Sequence, residues 1–252
     1  VFSDFYLGRV QRAGLDGRLE TLVEMEDQPS GIGWLPDGTL LVVGMLRRQV
    51  LRVGPGGVQV HADLSRLAPA PCNDMLVDGQ GRAYVGNFGF DLHLRAPFAP
   101  TVLLLVQPDG SARVVAEDMQ FPNGMVLAPD GRTLVVAESY GKRLTAFDVR
   151  PEGTLANRRV WAAFSEKGVA PDGICMDVEG AIWIASPVSR EVLRVREGGE
   201  ITRRIALPQQ ATACALDEAG ETLYVSTGRV LVTPQESRAA RGGVIWAVSL
   251  RE

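Results

Sequence analysis

The chain has 252 residues, 46% of them hydrophobic, and a formal net charge of −4 at pH 7. That is enough apolar material for a real core, and the acidic balance argues against a nucleic-acid partner held by bulk electrostatics. Its two histidines and three widely spaced cysteines, Cys72, Cys175 and Cys214, exclude a His-rich zinc cluster and a disulfide framework.

Residues 1–3 read as part of a strand, and 8–12 as the next, before a turn at Asp16-Gly17. From there one pattern recurs: a short apolar strand, a turn closing on glycine, then a strand rich in β-branched and aromatic residues. It reads GIGWLPDGTLLVVG at 31–44, NDMLVDGQGRAYVG at 73–86 and NGMVLAPDGRTLVVA at 123–137. It returns as DGICMDVEGAIWIA at 172–185 and TACALDEAGETLYVS at 212–226. The spacing of about 40 to 50 residues is that of propeller blades, not of helical solenoids. Further strands follow the units at 49–53, 101–106, 143–148, 191–195 and 244–248. Helical periodicity is scarce, and 28 glycines and 15 prolines punctuate the chain as turns. The expectation is all-β: a six-bladed β-propeller with four antiparallel strands per blade around a central channel. It is read as one domain over 1–252, with the first strands of blade one lying before residue 1. Irregular stretches are expected at 63–72, 88–100 and 227–243.

Aligned on the turn glycine, the five units carry Ser30, Asn73, Asn123, Asp172 and Thr212 at one phase. Each starts the strand leading into its blade, so the phase predicts a ring of polar groups at one mouth of the channel. A carboxylate from Asp172 and amide oxygens from Asn123 and Asn73 suit a hard cation such as Ca²⁺, Mg²⁺ or Mn²⁺. Asn-Gly and Asp-Gly are also common turn dipeptides, so Asn123-Gly124 and Asp172-Gly173 also read as tight turns into the blade. Asp37-Gly38 and Asp130-Gly131 fall at the opposite phase and read as turns between strands. No membrane-length apolar stretch is present.

The segments Phe121-Pro122-Asn123-Gly124, Pro171-Asp172-Gly173-Ile174-Cys175 and Asn73-Asp74 resemble the blade-leading motifs of the senescence marker protein/regucalcin/gluconolactonase family. The resemblance extends over essentially the whole chain, including GRAYVGNFGFD at 81–91 and DGRTLVVAES at 130–139. It implies a hydrolase dependent on one divalent cation, Ca²⁺ foremost, with Mg²⁺, Mn²⁺ or Zn²⁺ as alternatives. The substrate would be a small lactone opened by activated water. The resemblance further implies that Asn123 and Asp172 hold the metal, that Asp172 also accepts the proton, and that Asn73 and Asp91 contact substrate. The family's remaining ligand, a Glu of the first blade, would precede Val1. Sugar-lactone relatives carry an Arg two residues before the Asn of the second motif, where this chain has Pro71. That difference, with Phe88, Phe90, Phe98 and Tyr140 nearby, points to a less polar lactone or else to aromatics that merely anchor a loop. The expected setting is cytoplasmic, as a monomer or small homo-oligomer, with neither nucleic acid nor membrane as partner. Two other readings stand beside it: a phosphotriesterase-like hydrolase, and a calcium-binding propeller without turnover.

Overall fold

A computed structural model describes residues 1–92, 94–229 and 233–251. The residues fall into two compact units, Val1–Pro122 and Asn123–Glu252, each built from three antiparallel sheets. In the first unit, β1 (Phe2–Asp4), β2 (Arg9–Ala13) and β3 (Leu19–Glu24) form a three-stranded sheet. The next sheet is four-stranded: β4 (Pro29–Trp34), β5 (Leu40–Gly44), β6 (Gln49–Gly54) and β7 (Gly57–Asp63). The third, also four-stranded, holds β8 (Cys72–Val77), β9 (Ala83–Asn87), β10 (Thr101–Val106) and β11 (Ala112–Met119).

The second unit repeats the plan. Its first sheet comprises β12 (Pro122–Leu127), β13 (Thr133–Glu138), β14 (Arg143–Val149) and β15 (Leu155–Ala163). Its second comprises β16 (Ile174–Met176), β17 (Ile182–Ser186), β18 (Glu191–Val195) and β19 (Ile201–Ala206). Its third has three strands: β20 (Gln210–Leu216), β21 (Thr222–Gly228) and β22 (Val244–Ser249). Six sequential up-and-down sheets are the six blades of a β-propeller. Four of them carry four strands and two carry three among the described residues.

Hydrophobic runs rather than strict alternation mark the second strand of each blade, because both of its faces are covered. β5, β9 and β17 are buried at every position. In β17, Ile182 and Ile184 pack against the β12–β15 sheet, with Val126, Val135 and Ala137. Trp183 and Ala185, pointing the other way, pack against the following sheet with Ala211, Leu223 and Val225. This two-residue period puts one strand in two cores. The fourth strands are far more exposed, as in β7 and β15.

Turns between the first two strands of a blade are glycine turns at positive φ. Gly38 has φ 82° and Gly131 φ 69°. The aspartates before them accept backbone N–H groups two residues on, Asp37 from Thr39 at 2.9 Å and Asp130 from Arg132 at 2.9 Å. One element departs from the all-β expectation: α1 (Pro234–Ala240), inside the stretch read as irregular. Its signal was present in Thr233-Pro234-Gln235-Glu236. Thr233 and Glu236 cap each other's backbone N–H, and Pro234 occupies the first turn, where its missing N–H costs nothing.

Candidate functional site

Four residues of the shared phase, Ser30, Asn73, Asp172 and Thr212, sit where the innermost strand of their blade is irregular. In β4 the register against β5 slips between Pro29 and Ile32, around Ser30. In β8 it slips between Cys72 and Met75, around Asn73, and in β20 between Ala211 and Ala213, around Thr212. Before β16, the N–H of Asp172 donates to Ala185 O at 2.9 Å while Ala185 N–H donates to Gly173 O at 2.9 Å, so two residues oppose one. A β-bulge adds one residue, bends its strand and re-aims a side chain. Four of the five repeats therefore place their polar residue on a bulge, a feature that side-chain chemistry alone did not disclose.

The glycine after the polar residue has a different task from a turn glycine. Gly31, Gly124 and Gly173 all lie outside the left-handed region, so the tight-turn reading of Asn123-Gly124 and Asp172-Gly173 does not hold. What they supply is close approach. A Cβ on Gly124 would stand 2.6 Å from Ile174 N and 2.7 Å from Asp172 O. On Gly173 it would stand 2.6 Å from Ala213 Cα, and on Gly31 2.3 Å from Met75 N. Backbone hydrogen bonds close two of these joints: Gly124 N–H to Asp172 O at 3.1 Å, and Gly173 N–H to Thr212 O at 3.0 Å.

This joint brings Asn123 and Asp172 together within the second unit. Asn123, the second residue of β12, is buried. Its Nδ2 donates to Ser139 Oγ at 3.1 Å, and Ser139 Oγ donates to Pro171 O at 2.6 Å, the carbonyl just before Asp172. One hydroxyl thus ties the amide to the segment carrying the carboxylate. With the nitrogen engaged by Ser139, the amide oxygen is the end with which Asn123 can serve a cation. Ser139 was not singled out from the sequence. A signal existed: Ser139, Ser186 and Thr227 each stand at or next to the end of the second strand of their repeat, and all three hydroxyls hydrogen-bond there.

In the first unit Asn73, buried, accepts a hydrogen bond from Ser30 Oγ at 3.3 Å, and Ser3 Oγ donates to Ser30 O at 2.6 Å. Asp74 beside it reaches solvent in part, yet its carboxyl is desolvated, which pushes its pKa up to about 6. Asp91 lies on the loop after β9, where its carboxylate accepts Leu94 N–H at 2.9 Å and its carbonyl accepts Ala96 N–H at 2.9 Å. Phe88 and Phe90 are buried, in a cluster with Met45, Ala70 and Phe121, and Phe88 stacks on Phe121 with centroids 4.8 Å apart. Those two rings anchor the loop and offer little surface to a substrate; Phe98, 43% exposed, meets Phe90 edge-on. Phe88 and Phe90 therefore lend no support to a less polar lactone. His93 and residues 230–232 lie outside the described residues.

The donors fit a hard cation in kind, since an amide oxygen and a carboxylate are both oxygen ligands. Among the described residues no group of three His, Cys, Asp or Glu side chains is gathered as a metal cluster. No helix among them is long and apolar enough to cross a membrane.

Comparison with known proteins gives a consistent result. The model of the SMP-30/Gluconolactonase/LRE-like region matches residues 1–229. The chain is 32% identical to an L-arabinolactonase of Azospirillum brasilense over 176 residues, covering 69% of this chain and 56% of that protein. It is 31% identical to regucalcin of Danio rerio over 146 residues, covering 56% of this chain and 48% of regucalcin. The matches thus span about half the length of these two relatives. Among solved structures, a gluconolactonase of Xanthomonas campestris superposes with a TM-score of 0.75 at 28% identity, over 90% of this chain and 78% of that one.

Proposed function

Because the chain belongs to the SMP-30/gluconolactonase/LRE-like family, we propose that it is a divalent-cation-dependent lactonase centred on Asn123 and Asp172. The observation that carries this reading is the joint between these two residues. The N–H after Asn123 binds the carbonyl of Asp172, and Ser139 spans the Asn123 amide and Pro171. A hard oxygen-donor pair held by backbone is what a preorganised cation site requires.

Asn123 and Asp172 would hold the cation, Ca²⁺ before Mg²⁺, Mn²⁺ or Zn²⁺. A cation bound there supplies Lewis acidity toward the ester carbonyl and acidifies a water. Asp172 takes the proton from the attacking water, as a general base within the same site. Ser139 keeps the Asn123 amide from rotating. Asn73 and Asp91 are proposed to contact the substrate, with Pro71 offering no side-chain donor there.

The test is hydrolysis of a panel holding glucono-1,5-lactone, a pentonolactone, an alkyl δ-lactone and a phosphotriester, with and without chelator. Lactone turnover abolished by chelator and restored by Ca²⁺ is expected. Asp172→Ala and Asn123→Ala should each weaken Ca²⁺ binding at least tenfold in calorimetry while the circular dichroism spectrum stays native. Turnover of the phosphotriester alone would transfer the assignment to that chemistry, and tight Ca²⁺ binding with no turnover of any substrate would leave a binding protein.

A further inference from the structure

Cys175 and Cys214, separated by 39 positions in the chain, face each other with their sulfurs 3.8 Å apart. Cys175 lies in β16 and Cys214 in β20, the innermost strands of neighbouring blades in the second unit. Neither is in a disulfide. They differ in environment. Cys214 is buried, its sulfur 3.4 Å from Trp183 O and 3.6 Å from Gly173 O. The hydrogen bond between the two thiols and burial together hold the Cys214 thiol well above the usual range. Cys175 is only half-buried. Cys175 is thus the more exposed residue of the pair, and Cys214 the enclosed one.

We propose that this pair is a dithiol modification site, which a hydroperoxide converts to a disulfide joining the last two blades. The Cys175 sulfur attacks one oxygen of hydrogen peroxide; an S–O bond forms, the O–O bond breaks, and the departing hydroxide leaves as water with the thiol proton. The Cys214 sulfur then attacks the sulfenic sulfur of Cys175; the S–S bond forms, the S–O bond breaks, and the hydroxide takes the Cys214 proton as a second water. Two thiols and one peroxide give one disulfide and two waters, with two electrons passing from sulfur to peroxide. Closure to the usual S–S length of about 2.05 Å requires the sulfurs to approach by about 1.8 Å from their present 3.8 Å, within the reach of side-chain rotation.

The bond closes next to a joint that has no slack. Gly173 N–H already bonds Thr212 O at 3.0 Å, and a Cβ on Gly173 would meet Ala213 Cα at 2.6 Å. Asp172 stands immediately before that glycine, so strain from the bridge is passed to the bulge that carries it. This coupling to cation binding rests on the reading of Asp172 given above; the formation of the disulfide does not.

The experiment treats the reduced protein with stoichiometric hydrogen peroxide, blocks remaining thiols by alkylation and maps peptides by mass spectrometry. The expected product has lost two hydrogens, carries a Cys175–Cys214 bridge and an alkylated Cys72, and reverts with dithiothreitol. Cys72 is a suitable internal control, because burial pushes its thiol up to about 12. Cys214→Ser should stop at a sulfenic acid on Cys175 that dimedone captures. In denaturant the same treatment should distribute the bridge over other cysteine pairs. Overoxidation of Cys175 without a bridge in the native protein, or bridging no more selective folded than unfolded, would overturn the proposal. Ca²⁺ calorimetry on the reduced and bridged forms reads the coupling: a change in Kd of threefold or more is expected, and equal affinities would overturn that part. Absence of Ca²⁺ binding in the reduced form would instead count against the cation reading and leave the bridge intact.

Discussion

Gly124→Ala and Gly131→Ala look alike in sequence, since each alters the second residue of an Asn-Gly or Asp-Gly pair, yet they perturb opposite kinds of site. At Gly124 the new Cβ would sit 2.6 Å from Ile174 N, 2.7 Å from Asp172 O and 2.7 Å from Gly173 Cα. All three are backbone atoms, which cannot swing aside, so two inner strands must separate. Overpacking of this kind costs about 1–3 kcal/mol, and weakening the Gly124–Asp172 hydrogen bond adds about 0.5–1.5. The expected loss is about 2–4 kcal/mol, on the order of 10 °C in melting temperature for a chain of this size. At Gly131 a Cβ meets nothing within 4 Å, and the cost is the left-handed φ of 69°, about 1 kcal/mol. Asparagine separates the mechanisms further. It visits the left-handed region readily, so Gly131→Asn should be nearly neutral while Gly124→Asn should be at least as damaging as the alanine. The assay is urea denaturation of the four variants, followed by Ca²⁺ calorimetry on any that fold. If Gly124→Asn is tolerated as well as Gly131→Asn, the close-approach reading is wrong and Asn123-Gly124 is a turn after all.

Ser139→Ala should lower Ca²⁺ affinity several-fold with a near-native melting temperature, because it removes one hydrogen bond that positions the Asn123 amide without removing a ligand; Ser139→Thr, which keeps the hydroxyl, should recover much of the affinity, and an unchanged Kd in the alanine variant would refute the positioning role. Asp74 makes a prediction in pH. Its folded pKa, about 6, lies above the ordinary value of 3.8, so the folded state holds the proton longer. Stability should therefore fall as pH rises from about 4 to 6, with the cost fully present above 6, and Asp74→Asn should flatten that part of the urea-midpoint profile. Asp78→Ala removes a carboxylate that pairs with Arg82 at 2.6 Å while both side chains are under 10% exposed. Breaking a buried ion pair by removing one partner costs about 3–5 kcal/mol, measurable as a large drop in urea midpoint.

Blade number and strand positions were legible in the chain, since the repeat is local. A turn glycine at positive φ, a two-residue side-chain period and a run of β-branched residues are short-range requirements, met by Gly38, Gly131 and the residues of β5 and β17. The strands expected at 101–106 and 191–195 appear as β10 and β18 with those bounds. The common phase of Ser30, Asn73, Asn123, Asp172 and Thr212 was legible for the same reason. The helix at Pro234–Ala240 lies in a stretch expected to be irregular, because seven residues are too few to show helical periodicity.

What tertiary structure alone decided is which neighbours meet across blades. Repeat phase separates Gly124 from Gly131 but does not say why each is glycine; one is small because another backbone lies against it, and the other because its own φ demands it. Phe88 and Phe90 read equally as substrate surface or as loop anchors until Phe121, some thirty positions on, was seen stacked against Phe88. Ser139 gains its place from Pro171, and Cys175 from Cys214, contacts made across 32 and 39 positions of chain. Each such contact depends on how consecutive sheets pack face to face. That packing sums the whole repeat, and it is not encoded at the residue whose role it settles.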